Sequence, residues 1–214
     1  MRFTVSTTAI LFGSLVVAAP APEQTVTHLD LQPKANHKLK DAFHDAFFAE
    51  NTLADLEPGK KTLDGVKFNI GESLIQLAND NLKEKYPEKV EGIKVGAKFA
   101  KLHILHGTGY SVPDDTVIGK FIIHYDDKSD AEIEIVFGKD VRDWWYKEGD
   151  KEPSRGKVAW KGTNPSAKDN GASLWLFHMT WENPKPDKKV VGIDYVSMLT
   201  RAAPFVIAIT TEDK

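Results

Sequence analysis

Between residues 89 and 212 the chain repeats one kind of unit, a short run rich in β-branched and aromatic residues, closed off by Gly, Pro, Asn or Asp. Eight such runs follow one another: KVEGIKV, AKFAKLHILHGT, IGKFIIHYDD, AEIEIVFG, GKVAWKGT, ASLWLFHMTWENP, KVVGIDYVSM and PFVIAITTE. Short strands at this spacing, punctuated by turn residues, are the pattern of an all-β sandwich or barrel. HYDDKSDAEIEI reads as a hairpin whose turn is Asp126-Asp127-Lys128-Ser129-Asp130.

Alternation within the runs decides between kinds of sheet. In KFIIHY, Phe121 and Ile123 share one face while Ile122 and His124 share the other, and in AEIEIVF, Ile133 and Ile135 oppose Glu132 and Glu134. One face is wet, which is the antiparallel pattern rather than the continuous apolar run of a parallel sheet covered on both sides. The expected fold is an all-β antiparallel sandwich carrying one or two short helices.

The segment before residue 89 is less regular. Leu29 and Leu31 alternate with polar residues and suggest a short strand ending at Pro33, while Val66, Phe68 and Ile70 lie on one face of another. Leu39, Phe43 and Phe47 recur at four-residue steps, so KLKDAFHDAFF (38–48) suits a turn or two of helix. SLIQLANDNLKEK (73–85) fits either a strand or a helix, and any helix stops before Pro87.

The first residues, MRFTVSTTAILFGSLVVAAP, run from Arg2 through an apolar stretch to small residues, the order of a secretory signal peptide. We expect residues 1–18 to be that peptide, cleaved after Ala18, with an uncleaved anchor as the alternative. Residues 19–27 then form a linker and residues 28–214 one β-sandwich domain, with no membrane span after cleavage. The expected location is secreted, periplasmic or the cell envelope. An exported chain with zero cysteines has no disulfide framework, thiol nucleophile or thiolate metal site. A domain of about 170 residues is long enough to be stable without one.

Charge narrows the partners. With 28 Lys+Arg against 31 Asp+Glu the net charge is -3, which offers no basic stripe for phosphates, so nucleic acid is not an expected partner.

The series GVKFNIGESLIQL, KFAKLHILHGTGY, GKFIIHYDDKSDAEIEIVFGKDVRDWW, KVAWKGTNP, LWLFHMTWENPKPDKKVVGIDYVS and APFVIAITTE resembles a domain of exported bacterial proteins of planctomycete type, similar to a galactose-binding-domain-like jelly roll. The resemblance runs from about Leu29 to Thr211. It implies a jelly-roll fold and the habits of related modules, which serve as carbohydrate-binding modules, adhesion modules or spacers. It brings no set of catalytic residues.

DVRDWWY supplies both kinds of group that hold a sugar: an aromatic face for the C–H side of the ring and polar side chains for its hydroxyls. Neighbouring side chains of an extended segment point to opposite faces. One of Trp144 and Trp145 should therefore pack inward, leaving the other on the surface or covered by WENPKP or the loop 147–157. The candidate ligand-binding residues are Asp143, Trp144, Trp145 and Tyr146, with Asn183 and Lys185 of WENPKP and Asn164 of KGTNP. In ASLWLFHMTWENP, Trp175, Phe177, Met179 and Trp181 share one face, which is expected to be core, and Trp160 shares its face with Val158.

Catalytic signatures are missing from the chain. There is no GxSxG elbow, no phosphate loop and no HExxH spacing. His103 and His106, three apart, fall on opposite faces of a strand and cannot chelate one ion together. DDKSDAEIE lacks the glycine and terminal glutamate of an EF-hand loop. No cofactor is expected, although jelly-roll modules frequently hold a structural calcium through Asp side chains and loop carbonyls, so that ion stays open. The sequence reads as a non-catalytic exported binding module whose ligand is a polysaccharide or other glycan. The alternatives are a structural or protein-interaction domain of the cell envelope, with envelope proteins as partners, and a glycoside-processing hydrolase. That last reading needs two carboxylates facing each other across a cleft.

Overall fold

The computed structural model describes residues 25–43, 49–82 and 85–213. The expected signal peptide and most of the linker lie outside them. In chain order the strands are β1 (Val26–His28), β2 (His37–Lys38), β3 (Gly59–Leu63), β4 (Val66–Ile70), β5 (Ser73–Gln76), β6 (Lys89–Ala97), β7 (Lys101–Gly109), β8 (Val117–Tyr125), β9 (Asp130–Val136), β10 (Trp145–Lys147), β11 (Lys157–Gly162), β12 (Ala172–Glu182), β13 (Val190–Ser197) and β14 (Ala203–Glu212). A 3-10 turn at Gln32–Lys34 and one α-helix, α1 (Pro165–Asp169), complete the described elements.

The chain is an antiparallel β-sandwich. An eight-stranded sheet runs β10-β12-β7-β14-β5-β2, with β1 added to β14 and β11 to β12, and a four-stranded sheet runs β6-β13-β8-β9. The hairpin expected from HYDDKSDAEIEI is the β8–β9 pair, with His124 opposite Asp130 and Phe121 opposite Ile133. Alternation holds along β8 from Lys120 to Tyr125 and along β9 from Glu132 to Ile135. Phe121, Ile123, Ile133, Ile135, Ile193 and Tyr195 are buried against the larger sheet, while Glu132 and Glu134 face water. The larger sheet answers with Ile104, Trp175, Phe177, Met179, Val206 and Ile209.

A third layer covers the far side of the eight-stranded sheet. The β3–β4 hairpin and residues 39–43 and 49–56 lay Leu39, Phe43, Leu53, Leu56, Phe68 and Ile70 over Leu105, Leu174, Leu176, Phe205 and Ile207. The centre of the sheet is therefore dry on both faces, and all ten residues of β14 are buried. The turn of the covering hairpin is Asp64-Gly65, both at positive φ (46° and 75°), the geometry that suits the twist of a two-residue hairpin.

Several expectations change. Residues 38–43 are not helical. The N–H of Leu39 bonds to the Glu72 carbonyl, its carbonyl accepts from the Leu53 N–H, and the Phe43 N–H bonds to the Asn51 carbonyl, so these backbone groups are spent on distant chain. Leu39 and Phe43 are core residues all the same, and the rest of the expected helix falls among residues 44–48, outside the described ones. Residues 73–76 are strand, pairing with β14 and β2. The first strand is shorter and earlier than expected, and Pro33 sits in the 3-10 turn.

Trp160 does not share a face with Val158. A bulge between them shifts the register on β12 from Val158↔Phe177 to Trp160↔Leu176, which sends Val158 into one core and Trp160 into the other. The helix lies at NPSAKD, a stretch whose spacing does not announce one. Asn164 caps it by accepting the Ala167 N–H at 2.6 Å, and Pro165 stands at its first position.

Candidate functional site

The stretch Asp143–Tyr146 enters the eight-stranded sheet as an insertion. Asp143 makes a parallel bridge to Thr108 near the end of β7, the Trp144 N–H bonds to the Thr108 carbonyl, and the chain bends before β10 pairs with the first residues of β12. That bend breaks the alternation expected for the two tryptophans. Trp144 is 2% exposed in the third-layer core, against Phe43 and Phe205. Trp145 packs half-buried at the edge of the same core, and its indole Nε1–H donates to Asn51 Oδ1 at 2.9 Å. The second ring stays half-buried, and the group that holds its indole nitrogen is Asn51 rather than anything in WENPKP or the loop 147–157.

Tyr146, one residue on, turns toward the other core. It stacks on Trp175 with ring centroids 3.6 Å apart and planes within 6°. The Lys161 ammonium lies 4.1 Å from the centre of the Trp175 ring, which with Tyr146 stacked on one face places it over the other. Trp175 is thus closed on both sides, and Tyr146, like Trp145, is left half-buried.

Around that stack is a pocket of about 200 Å³, walled by Ser111, Asp114, Arg142, Asp143, Trp145 and Tyr146, with Phe137, Trp175 and Phe177 behind them. It is smaller than the roughly 300–1,000 Å³ typical of sites for drug-sized ligands. A single ring or the end of a chain is the fitting occupant.

Its polar groups are held firmly. Asp143 accepts the Trp145 N–H at 3.0 Å and is reached by the Ser111 hydroxyl at 3.4 Å. Burial pushes its carboxyl up to about 6, against the pull of those two donors. Asp114 is gripped by Arg142 in a two-pronged pair, Nη1 to Oδ1 at 3.0 Å and Nη2 to Oδ2 at 3.1 Å, which holds its carboxyl below the usual range. Asp150 accepts the Lys147 N–H at 2.7 Å and closes the turn beyond β10.

Beneath the rim, fully buried Asp140 ties the loop together. It accepts from Arg155 Nε and Nη2 at 2.6 and 2.7 Å and from the Val136 N–H at 2.9 Å. Gly156 passes so close that a Cβ there would lie 2.0 Å from the Asp140 carbonyl oxygen. Arg142, Asp114, Asp140 and Trp175 all build the site, although sequence reasoning does not pick them out as site residues. The signal for two of them is the position of Asp140 and Arg142 inside the DVRDWWY stretch itself.

The remaining candidates lie elsewhere in roles of their own. Asn164, 5% exposed, donates from Nδ2 to Asn51 Oδ1 and the Thr52 carbonyl while capping α1. Asn183, 6% exposed, accepts the Tyr125 hydroxyl at 2.6 Å and donates to the Phe99 carbonyl. Lys185 reaches Ser129 and lies over the Tyr125 ring. None of the three lines the pocket.

The acidic loops are already matched with bases: Asp115 pairs with Lys139, Asp127 with Lys188, Asp130 with His124, and Asp194 with Lys89 and His124. Among the described residues no three His, Cys, Asp or Glu side chains gather as a metal site. Nor is any described helix long and apolar enough to cross a membrane. No protein-family model matches the sequence, and no curated protein matches it significantly.

Proposed function

We propose that this protein is an exported, non-catalytic binding module whose ligand is a carbohydrate, taken at the pocket between β10 and the loop 111–114. The observation that carries this reading is Tyr146, stacked flat on Trp175 and half-exposed beside the Asp143 carboxyl. A ring braced from behind loses little freedom when a sugar stacks on it, and a carboxylate at its edge is a strong acceptor for two hydroxyls. The resemblance to galactose-binding-like jelly rolls and the secretory order of residues 1–18 agree with this assignment. Asp143, Tyr146, Ser111 and the Arg142–Asp114 pair are the contact residues. Trp145 supports them from the wall.

The test is a glycan array and polysaccharide pull-down with the full chain and with Tyr146→Ala. Removing the ring should weaken binding by about 10-fold or more, given the roughly 0.5–1.5 kcal/mol of an aromatic pair beyond its buried area and the loss of that area. Retention of no glycan by the wild type, or equal retention by the variant, overturns the reading.

One observation favours a second reading. A carboxyl raised to about 6 suits a general acid in glycoside hydrolysis. That reading needs a second, unencumbered carboxylate across the pocket, and Asp114 is held by Arg142. Release of aryl alcohol from aryl glycosides, lost in Asp143→Asn, would select it over binding alone.

A further inference from the structure

Two histidines on neighbouring strands meet on the side of the eight-stranded sheet that faces the β3–β4 hairpin. His103 comes from β7, and His178 and Thr180 come from β12, with Thr180 directly opposite His103 in the register. His178 Nδ1 lies 2.9 Å from Asp64 Oδ2 at the hairpin turn, and His103 Nε2 lies 3.2 Å from Glu212 Oε2 on β14. Carboxylates at these positions only accept, so both contacting nitrogens carry hydrogens. In the neutral rings the other nitrogen of each then carries a bare lone pair.

Those two lone-pair atoms face each other. His103 Nδ1 and His178 Nε2 are 3.1 Å apart, and each is 3.0 Å from Thr180 Oγ1. One threonine hydrogen cannot satisfy two nitrogens. Three acceptors in a triangle with a single hydrogen among them lack a positive charge at their centre.

We infer that His103 Nδ1, His178 Nε2 and Thr180 Oγ1 form a site for one divalent late first-row transition-metal ion. Two atoms 3.1 Å apart, each about 2.1 Å from an ion, subtend about 95° at it, so the triangle matches one face of a six-coordinate site. Imidazole nitrogens suit Ni, Cu and Zn. Each ring has a carboxylate behind its opposite nitrogen, the outer-shell arrangement that fixes the tautomer and raises the basicity of a ligating histidine. Lys101 sits 2.8 Å from the other oxygen of Glu212, leaving one uncompensated carboxylate, Asp64, toward the charge of the ion. The rings are buried at 5% and 6% exposure while Thr180 is exposed, so water completes the shell from the solvent side.

This site is invisible at the level of one strand. His103 and His106 do point to opposite faces, with Leu105 in the third-layer core and Leu102 and Ile104 in the main one. The partner of His103 is 75 residues away.

The test titrates chelator-stripped full chain separately with NiCl2, CuCl2 and ZnCl2, by calorimetry and, for Cu²⁺, by electron paramagnetic resonance. One equivalent should bind, with two nitrogens seen on copper. His178→Gln should lose at least 100-fold in affinity, and Asp64→Asn about 10–100-fold, as outer-shell substitutions do. Asp64 is at an exposed turn, so that variant reports even if His178→Gln does not fold. Thr180→Ala should lose affinity by a smaller factor and leave both copper nitrogens in place. No stoichiometric uptake by the wild type overturns the site, as does affinity undiminished in Asp64→Asn and His178→Gln. A shared proton only, seen as imidazolium nitrogen shifts at neutral pH without metal uptake, overturns it equally.

Discussion

Asp143 concentrates the tension in this molecule. Its carboxyl sits among aromatic rings with one backbone donor and a long hydroxyl contact, and its pKa of about 6 stands above the 3.8 of a free aspartate. A folded-state value above the unfolded one means that the ionised form is the costly one. The penalty is absent below about pH 4, grows as pH rises through 6 and is complete by pH 8. Asp143→Asn should therefore be more stable than the wild type at pH 8 by on the order of 2 kcal/mol, after discounting for partial solvent screening. The difference should fade toward zero near pH 4. Urea unfolding midpoints of the two proteins across this range check it, and an unchanged difference from pH 8 to pH 4 contradicts desolvation of the carboxylate as its cause.

Among elements, α1 and β11 show why local patterns in the sequence reach only so far. Asn164 stands out as a polar side chain beside glycine and proline, and that composition fits a ligand loop as well as a helix start. Its real partners, Asn51 and Thr52, are more than 110 residues away. Asn51 also accepts the Trp145 indole N–H, so Asn164 helps to position a wall of the pocket without touching it. Asn164→Ala leaves the Ala167 N–H without its cap and the Thr52 carbonyl without its donor, and should cost about 2–4 kcal/mol. Asn164→Asp keeps the cap but not the donor. If the cap were its whole role, Asp would restore wild-type stability; the double role requires Asp to remain destabilised, and chemical denaturation separates the two. In β11 the bulge after Val158 defeats parity, because one inserted residue exchanges the faces of everything beyond it. Strands without bulges or bends, such as β9, are readable residue by residue. Trp144 and Trp145 are not, because the chain bends between the β7 bridge and β10.

For the molecule as a whole, the all-β class and one hairpin are legible because short alternating runs bounded by turn residues leave few other folds. The β8–β9 hairpin, the wet outer face of the four-stranded sheet and the aromatic face of β12 all follow from period-two patterning. The third layer is not legible. Its residues, Leu39, Phe43, Leu53, Leu56 and Phe68, come from the irregular stretch before residue 71, where spacing suggests helix and where tertiary hydrogen bonds decide the backbone instead. That layer covers Leu174 and Leu176 of β12 and Phe205 and Ile207 of β14, buries Trp144 and leaves Tyr146 half-buried, stacked on Trp175 at the pocket. The most direct measurement of the assignment is amide and indole chemical-shift mapping of the full chain with a glycan retained in the pull-down. Binding at the proposed pocket moves the signals of Ser111, Asp143, Tyr146 and the Trp175 indole together, and leaves Asn183 and Lys185 still. Shifts centred on Asn183 and Lys185, or spread without focus over the surface, would contradict it.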